Sequence, residues 1–264
     1  MQYRDITGVP DFDATEFAEK RNRYCVLIPI INEGDRIWKE LRRAKKHGIE
    51  ALADIIICDG GSVDGCTAED TLKKLGVNTL LIKQDRGKQG AQLRMGFYFA
   101  LKRGYRGVVT IDGNNKDSIE DIPRFLEKLE EGFDFVQGSR FIKGGRAINT
   151  PKLRYLSVRL LHAPVISLTA GHWYTDTTNA YRAYSRKYLK DERVGIFRDI
   201  FQSYELLAYL SVRAAQLHLK TCEIPVTRSY PKTGRIPTKI SFVKGNGTLL
   251  KILFANLLRK YNVK

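Results

Sequence analysis

The chain has 264 residues, 43% of them hydrophobic, and a formal net charge of +16. This is enough for one sizeable domain with its own core. The first residues carry acids and no apolar run, so no signal peptide is indicated. No stretch provides the roughly 20 mostly apolar residues of a membrane span, and the four cysteines lack metal-ligand spacing. We therefore expect a reduced, cytoplasmic setting without a disulfide framework.

The positive charge is unevenly distributed. The segment Thr150–Lys264 contains 20 Lys and Arg against 6 Asp and Glu, whereas the preceding 149 residues contain 25 and 23. Such asymmetry favours a polyanionic partner, namely nucleic acid, anionic lipid or a phosphorylated substrate, although a solvated basic surface is an alternative.

Strand and helix patterns alternate along the first half of the chain. Continuous apolar runs predict buried strands at residues 24–31, 55–58, 79–82 and 108–111. Each precedes a helical pattern, at residues 34–47, 66–75, 88–103 and 119–131. These patterns stop at Gly48, Gly76, Gly104 and Gly132, where glycine would end a helix. The alternation predicts an α/β fold with a mostly parallel sheet.

Polar residues follow the strands of this sheet. Asp112, Gly113 and Asn114 come directly after the fourth run. In open α/β sheets, ligands bind at the carboxyl ends of the strands. Asp and Asn oxygens suit Mg²⁺ or Mn²⁺, and Gly113 would let a ligand approach the backbone. A strand-ending turn is the alternative interpretation.

Several motifs follow one another along the chain, namely Pro29–Glu33, Asp59–Gly65, Gly87–Ala91, Asp112–Asn114, Asp121–Pro123, Gly138–Gly145, Asp176–Tyr184 and Glu223–Val226. Their order resembles that of family 2 glycosyltransferases of the GT-A fold, in particular the dolichyl- and polyprenyl-phosphate sugar synthases. The resemblance covers roughly residues 22–245 and implies a Rossmann-like sheet flanked by helices, with a basic elaboration on the acceptor side. It implies transfer of a sugar, with inversion, from a nucleotide-diphosphate donor to a lipid-linked acceptor.

The resemblance also implies the roles of individual residues. The donor would be bound by Pro29, Asn32, Glu33, Asp59, Asp64, Gly87, Lys88, Asp112 and Gly113. Arg140, Arg182 and Lys239 would bind the donor diphosphate or an acceptor phosphate, since guanidinium groups match phosphate oxygens. Asp112 and Asn114 would hold Mg²⁺ or Mn²⁺ beside the diphosphate.

The chain departs from the family pattern at the expected metal site. The family usually has a second acid at the position of Asn114 and a polar residue such as Gln at the position of Lys116. A neutral ligand weakens binding of a cation, and Lys116 could itself neutralise part of the diphosphate charge. These two residues therefore predict weaker binding of a metal than the family pattern does.

The acceptor determines whether a catalytic base is needed. A phosphate is already anionic, whereas a saccharide hydroxyl needs a carboxylate within hydrogen-bonding reach. Asp176 and Glu205 are the candidates, although Glu205 could simply stabilise the first turn of a helix. Leucines near helical spacing in residues 152–170 alternate with Arg154 and Arg159, a pattern typical of an amphipathic helix on an anionic membrane surface or of a core helix with a basic face.

We expect residues 1–21 to be an N-terminal extension, 22–149 the nucleotide-sugar half, 150–241 the acceptor half, and 242–264 a basic amphipathic segment. We expect the protein to be located in the cytoplasm, peripherally on the inner face of the cell membrane. The expected process is polysaccharide biosynthesis. The alternatives are a soluble transferase with a saccharide acceptor, a nucleotidyltransferase, and a nucleic-acid-binding protein. No recognition motif supports nucleic acid as a partner. The sequence does not indicate the oligomeric state, the sugar that is transferred or the base of the donor nucleotide.

Overall fold

The computed structural model describes residues 1–232 and 242–263, without the side chains of 242–246. The strands are β1 (Gln2–Tyr3), β2 (Phe12–Glu16), β3 (Tyr24–Ile30), β4 (Asp54–Asp59), β5 (Val77–Lys83), β6 (Gly107–Thr110), β7 (Phe135–Ser139), β8 (Arg146–Ile148), β9 (Arg182–Ser185), β10 (Thr221–Pro225) and β11 (Thr227–Ser229).

The α-helices are α1 (Asp35–Lys46), α2 (Ile49–Leu52), α3 (Glu69–Lys74), α4 (Gln89–Lys102), α5 (Ile122–Glu130), α6 (Lys152–Ser157), α7 (Ala163–Ala170), α8 (Arg186–Lys190), α9 (Glu205–Gln216) and α10 (Phe242–Leu257). A 3₁₀ turn at Ile119–Asp121 leads into α5, and a π-helical turn at Val158–His162 joins α6 to α7.

Nine strands form one mixed sheet in the order β1-β2-β5-β4-β3-β6-β9-β7-β10. The strands β5, β4, β3 and β6 are mutually parallel, whereas β9 is antiparallel to both of its neighbours. A second sheet pairs β8 with β11 in parallel. Helices pack on both faces, above two apolar clusters separated by the sheet. The expected α/β class with a mostly parallel sheet is confirmed.

The expected alternation of strands and helices is confirmed with shifts of a few residues. The four glycines that were expected to end helices have positive φ angles, of 64° at Gly48, 83° at Gly76, 75° at Gly104 and 81° at Gly132. Glycine adopts this left-handed conformation without a Cβ clash, so the helix ends are set locally by the sequence.

The strand order places three strand ends at one position. β3 lies between β4 and β6, so the chain goes to one side of β3 first and crosses to the other side later. Such a reversal of strand order leaves a crevice at the carboxyl ends of the strands, where ligands bind in α/β sheets. Ile30, Asp59 and Ile111 lie at these ends.

The N-terminal residues do not form a separate extension. Phe12 of β2 is buried and pairs with Lys83 of β5, and the ring of Tyr3 stacks on it with 4.4 Å between centroids. The boundary expected at residue 22 is therefore not a structural one. The acceptor half likewise contributes β9 and β10 to the main sheet.

The C-terminal helix is also part of the fold. Ile252 and Leu253 of α10 are buried in the cluster that contains α9 residues. The face of α10 that includes Leu250, Phe254 and Leu257 is exposed. Among the helices described, none is both long enough and apolar enough to cross a bilayer.

We predict that Phe12→Ala lowers the free energy of unfolding by about 3–5 kcal/mol, because it removes a fully buried ring from the core. Thr15→Ala, a half-buried position of the same strand, should cost about 1 kcal/mol or less. Urea unfolding followed by circular dichroism measures both. Equal stability of Phe12→Ala and the wild type would mean that β1 and β2 are not integral to the domain.

Candidate active site

Two loops that follow β3 and β4 are joined by hydrogen bonds. The backbone N–H of Val63 donates to Asn32 Oδ1 (2.9 Å), and the N–H of Asn32 donates to Ser62 Oγ (2.9 Å). Asp64 Oδ2 accepts from the N–H of Gly34 (2.8 Å). Burial would raise the pKa of Asp64, but hydrogen bonds from Cys66 and Gly34 lower it. Asn32 and Asp64 therefore shape the crevice by holding these loops together.

Asp59 organises its own loop. One carboxylate oxygen accepts from the N–H groups of Gly61 (2.9 Å) and Ser62 (2.8 Å), and the other accepts from Ser62 Oγ (2.5 Å). Gln92 of α4 donates to the carbonyls of Ile30 (2.6 Å) and Cys58 (2.8 Å), which fixes the ends of β3 and β4 relative to each other. Asp59 is almost fully buried. A substitution of Asp59 that changes binding of the nucleotide sugar would therefore act at least partly through the loop.

The remaining expected donor-binding residues lie in or just after β3 and in the loop between β5 and α4. Pro29 lies within β3, and Glu33 accepts a hydrogen bond from Arg36 Nε (2.9 Å). Gly87 has a φ of 107°, and a Cβ there would clash with Gln202 and Ala91. The side chain of Lys88 is exposed, directly before the first residue of α4. The N-terminus of α4 thus presents a cation and helix N–H groups, an arrangement that favours an anion.

Asp112 lies at the centre of the crevice. Its Oδ1 accepts from Gln89 Nε2 (2.9 Å), and its Oδ2 accepts from Arg228 (3.1 Å) and Asn114 Nδ2 (3.3 Å). Burial alone would raise the pKa of Asp112, but the charges of Arg228 and Lys116 hold it below its usual value. Asp112 is therefore ionised and held by side chains from several distant segments.

Arg228 connects Asp112 to a second buried carboxylate. Its guanidinium forms an ion pair with Asp117 as well as with Asp112. Burial raises the pKa of Asp117 to about 6, against the lowering effect of Arg228. Burial lowers the pKa of Lys116, and the charge of Arg228 lowers it further. The ring of Tyr230 lies 5.1 Å from Lys116 Nζ and 5.8 Å from the guanidinium carbon of Arg228.

The side chains of Asp112 and Asn114 do not fit a resident divalent ion. Both oxygens of Asp112 already accept hydrogen bonds, and Asn114 turns its amide nitrogen toward Asp112 while its Oδ1 is buried without a partner. One engaged carboxylate and one amide oxygen fall short of the oxygen set of Mg²⁺ or Mn²⁺. Across the described part of the chain, no three His, Cys, Asp or Glu side chains are grouped to hold a metal.

Gly113 is required by packing. A Cβ at this position would lie 3.0 Å from a methyl group of Ile28 and closer still to one of Ile30. Core packing is thus sufficient to explain a glycine at this position. The expectation that Gly113 lets a ligand approach the backbone stays a prediction.

Arg140 and Asp176 form a buried ion pair. Asp176 accepts from Arg140 Nε (2.6 Å) and from the terminal nitrogen Nη2 (2.8 Å), and the same guanidinium donates to Thr178 Oγ1 (2.9 Å). Burial would raise the pKa of Asp176, but Arg140 lowers it. This engagement makes Asp176 the partner that positions Arg140, and leaves it poorly placed to accept a proton from a substrate.

Arg182 differs from the expectation for a phosphate ligand. It is buried, and its guanidinium donates to the backbone carbonyls of Asn179 (2.9 Å), Thr177 (2.9 Å) and Leu207. With these donors used in the core, Arg182 holds the 177–182 segment against α9. Its side chain has no exposed surface at which an acceptor phosphate would bind.

The last two expected residues have different outcomes. Glu205 begins α9, is half-exposed, and accepts a hydrogen bond from the N–H of Ser203 (2.6 Å). Its place in the first turn of α9 agrees with the alternative that it stabilises that turn, and its role as a base stays a prediction. Lys239 lies outside the described residues.

Three residues of the crevice were not identified from the sequence: Gln89, Asp117 and Arg228. Arg228 lies two residues after the motif Glu223–Val226. A charged residue so close to that motif was the signal that could have identified it. Asp117 could have been found because it lies five residues after Asp112, beyond the same strand end.

We predict that Asp176→Ala lowers the free energy of unfolding by about 3–5 kcal/mol, because it leaves a buried guanidinium without its partner. Glu205→Ala should cost about 1 kcal/mol or less at its half-exposed position. Urea denaturation of the two variants provides the comparison. If Asp176→Ala were as stable as Glu205→Ala, Asp176 would not be the structural partner of Arg140.

Comparisons with known proteins agree with the geometry. Residues 25–193 match the model described as glycosyl transferase family 2. A polyprenol monophosphomannose synthase from Mycolicibacterium smegmatis is 28% identical over 208 residues, 78% of this chain and 77% of that protein. An undecaprenyl-phosphate mannosyltransferase from Micrococcus luteus is 29% identical over 214 residues, 78% of this chain and 83% of that protein.

Solved structures share the fold. Glucosyl-3-phosphoglycerate synthase from Mycobacterium tuberculosis, in complex with Mn²⁺, UDP and phosphoglyceric acid, superposes with a TM-score of 0.61 at 16% identity, covering 91% of this chain and 79% of that one. The sheet, the crevice at its strand ends and the matched model together establish that the chain belongs to glycosyl transferase family 2, as a nucleotide-sugar-dependent glycosyltransferase of the GT-A fold.

Proposed function

We propose that the protein transfers a sugar, with inversion, from a nucleotide-diphosphate donor to the phosphate of a polyprenyl-phosphate carrier at the cytoplasmic surface of a membrane. The names of the relatives from Mycolicibacterium smegmatis and Micrococcus luteus support this acceptor class. The structural observation that carries the proposal is an exposed row of leucines that adjoins the charged crevice.

This row, here called the leucine face, lies on α6, the π-helical turn and α7. It consists of Leu153, Leu156, Leu160 and Leu168, with exposed fractions of 61%, 51%, 73% and 77%. Single exposed apolar residues are ordinary on protein surfaces, whereas a row of them marks a contact with an apolar partner. The apolar tail of a lipid and the interior of a bilayer are such partners.

The leucine face is connected to the crevice by direct contacts. A terminal nitrogen of Arg154 on α6 donates to the hydroxyl of Tyr230 (2.9 Å), and Tyr230 lies beside Lys116 and Arg228. His162, at the end of the π-helical turn, is within 2.8 Å of Thr177 Oγ1, next to Asp176. A polyprenyl phosphate has one anionic end and one apolar end, which match these two adjoining surfaces.

The state of the carboxylates also favours a phosphate acceptor. Asp176 is engaged by Arg140, and an anionic phosphate needs no base to attack the anomeric carbon. A saccharide acceptor would need one, and Glu205 is then the half-exposed candidate. The two acceptor classes therefore make different demands on the same site.

The acceptor can be tested with radiolabelled nucleotide sugars in detergent. We predict that label enters the organic phase with undecaprenyl phosphate and not with undecaprenol, which lacks the phosphate. Glu205→Gln should retain more than about a tenth of the wild-type rate, because no general base is needed and such bases contribute about 10²–10⁴-fold. Transfer to a soluble saccharide alone, with Glu205→Gln inactive, would establish the soluble alternative.

Membrane association can be tested by sedimentation with phosphatidylglycerol vesicles. We predict that Leu160→Ser lowers the partition coefficient by about fivefold or more, because an inserted leucine contributes about 1–3 kcal/mol. Leu52→Ser, at an exposed leucine of α2, is the matched control and should bind as the wild type does. Equal binding by both variants would remove the leucine face from the membrane contact.

A further inference from the structure

The crevice contains two anions and two cations close together, and three of these four groups are buried. Asp112 and Asp117 both form ion pairs with Arg228, and the charge of Lys116 acts on both carboxylates. Each of these four residues except Asp112 is at least nine-tenths buried, and the Asp112 side chain is 20% exposed. We call this group the charge cluster.

The charge cluster reaches neutrality with its own side chains. Two carboxylates that hold a divalent ion also reach neutrality, but only when the ion is bound. Here, a guanidinium and an ammonium supply the same two positive charges. Adding a divalent ion would place it beside two existing cations, which repel it in a weakly solvated site.

We propose that Arg228 and Lys116 supply the positive charge that stabilises the leaving nucleoside diphosphate, so that this transferase works without a divalent ion. The proposal rests on the glycosyltransferase activity of the family and not on the lipid acceptor.

In the transfer step, an acceptor oxygen forms a bond to the anomeric carbon while the bond from that carbon to the β-phosphate oxygen breaks. The electron pair of the broken bond leaves with the nucleoside diphosphate, which gains one negative charge. Fixed cations beside this oxygen stabilise the developing charge without reorganising, which is a large contribution to catalysis in many enzymes. A guanidinium suits this task because it remains charged at any physiological pH.

Lys116 is the second cation of the charge cluster. Its ammonium lies 5.1 Å from the ring of Tyr230, whose face attracts a cation and keeps it in the crevice.

The first test uses inorganic pyrophosphate as the probe, in EDTA, with binding measured by titration calorimetry. The wild type should bind it, and Lys116→Gln should bind at least about tenfold more weakly. Lys190→Gln removes an equal charge from the exposed end of α8 and is the control. Arg228 is unsuitable for substitution because its loss leaves two buried carboxylates unpaired. No binding by the wild type in EDTA, or equal binding by Lys116→Gln, would overturn the proposal.

The second test restores the family's usual residues with the double variant Asn114→Asp, Lys116→Gln. It should bind Mn²⁺ at least about tenfold more tightly than the wild type in calorimetry. Its release of nucleoside diphosphate should become sensitive to EDTA, whereas wild-type release should not change. Loss of wild-type release in EDTA with recovery in Mn²⁺ would overturn the proposal. The pyrophosphate and Mn²⁺ titrations need no acceptor, so a failure of the proposed lipid acceptor leaves their outcome readable.

Discussion

The ion pairs of Arg228 with Asp112 and Asp117 join the central strand of the sheet to the acceptor side of the molecule. A buried guanidinium is stable only when its lost hydration is replaced, here by two carboxylates. Arg228 belongs to β11, which pairs with β8, and the N–H of Ser229 donates to the carbonyl of Lys116 (2.8 Å). The small sheet is therefore attached to the segment after β6 by charge and by backbone hydrogen bonds together.

Helix α4 holds the other side of the crevice in place. Gln89 at the start of α4 reaches Asp112, and Gln92 one turn later fixes the ends of β3 and β4. A single helix thus relates the loops of the donor side to the charged centre. The carbonyl of Ile30 also accepts from the N–H of Gly60 (2.9 Å), so backbone and side-chain hydrogen bonds together fix these strand ends.

Local patterns in the sequence were sufficient to predict the strands β3 to β6, the helices α1, α3, α4 and α5, and the strand ends that meet at the crevice. Runs such as 55–58 and the glycine at 76 act over a few residues, so their effect is readable without the fold. The family motifs then gave the GT-A fold and the transferase activity. The early strands β1 and β2 were not predicted, because β2 depends on pairing with β5 nearly 70 residues later.

Side-chain direction was the main limit of the sequence interpretation. Nothing local distinguishes Arg182, which points into the core, from Arg140, which is held beside the crevice by Asp176. The net positive charge of the C-terminal portion also overestimates how many cations lie at the surface. Arg182 and Arg228 are buried, and Arg154 and Arg159 donate to the hydroxyls of Tyr230 and Tyr155. Fewer cations than the net charge indicates are thus available to an external anion.

The π-helical turn at Val158–His162 has a geometric consequence for the leucine face. An α-helix advances about 100° per residue, so Leu168 would lie well to one side of the line through Leu153, Leu156 and Leu160 if α6 continued unbroken. The wider π turn holds an additional residue and turns the following helix back by most of that angle. The exposed leucines on both sides of the turn are thereby kept in rotational phase. Deletion of one residue within the turn would return it to α-helical geometry with Leu168 still in the row, because the wider turn accommodates one additional residue.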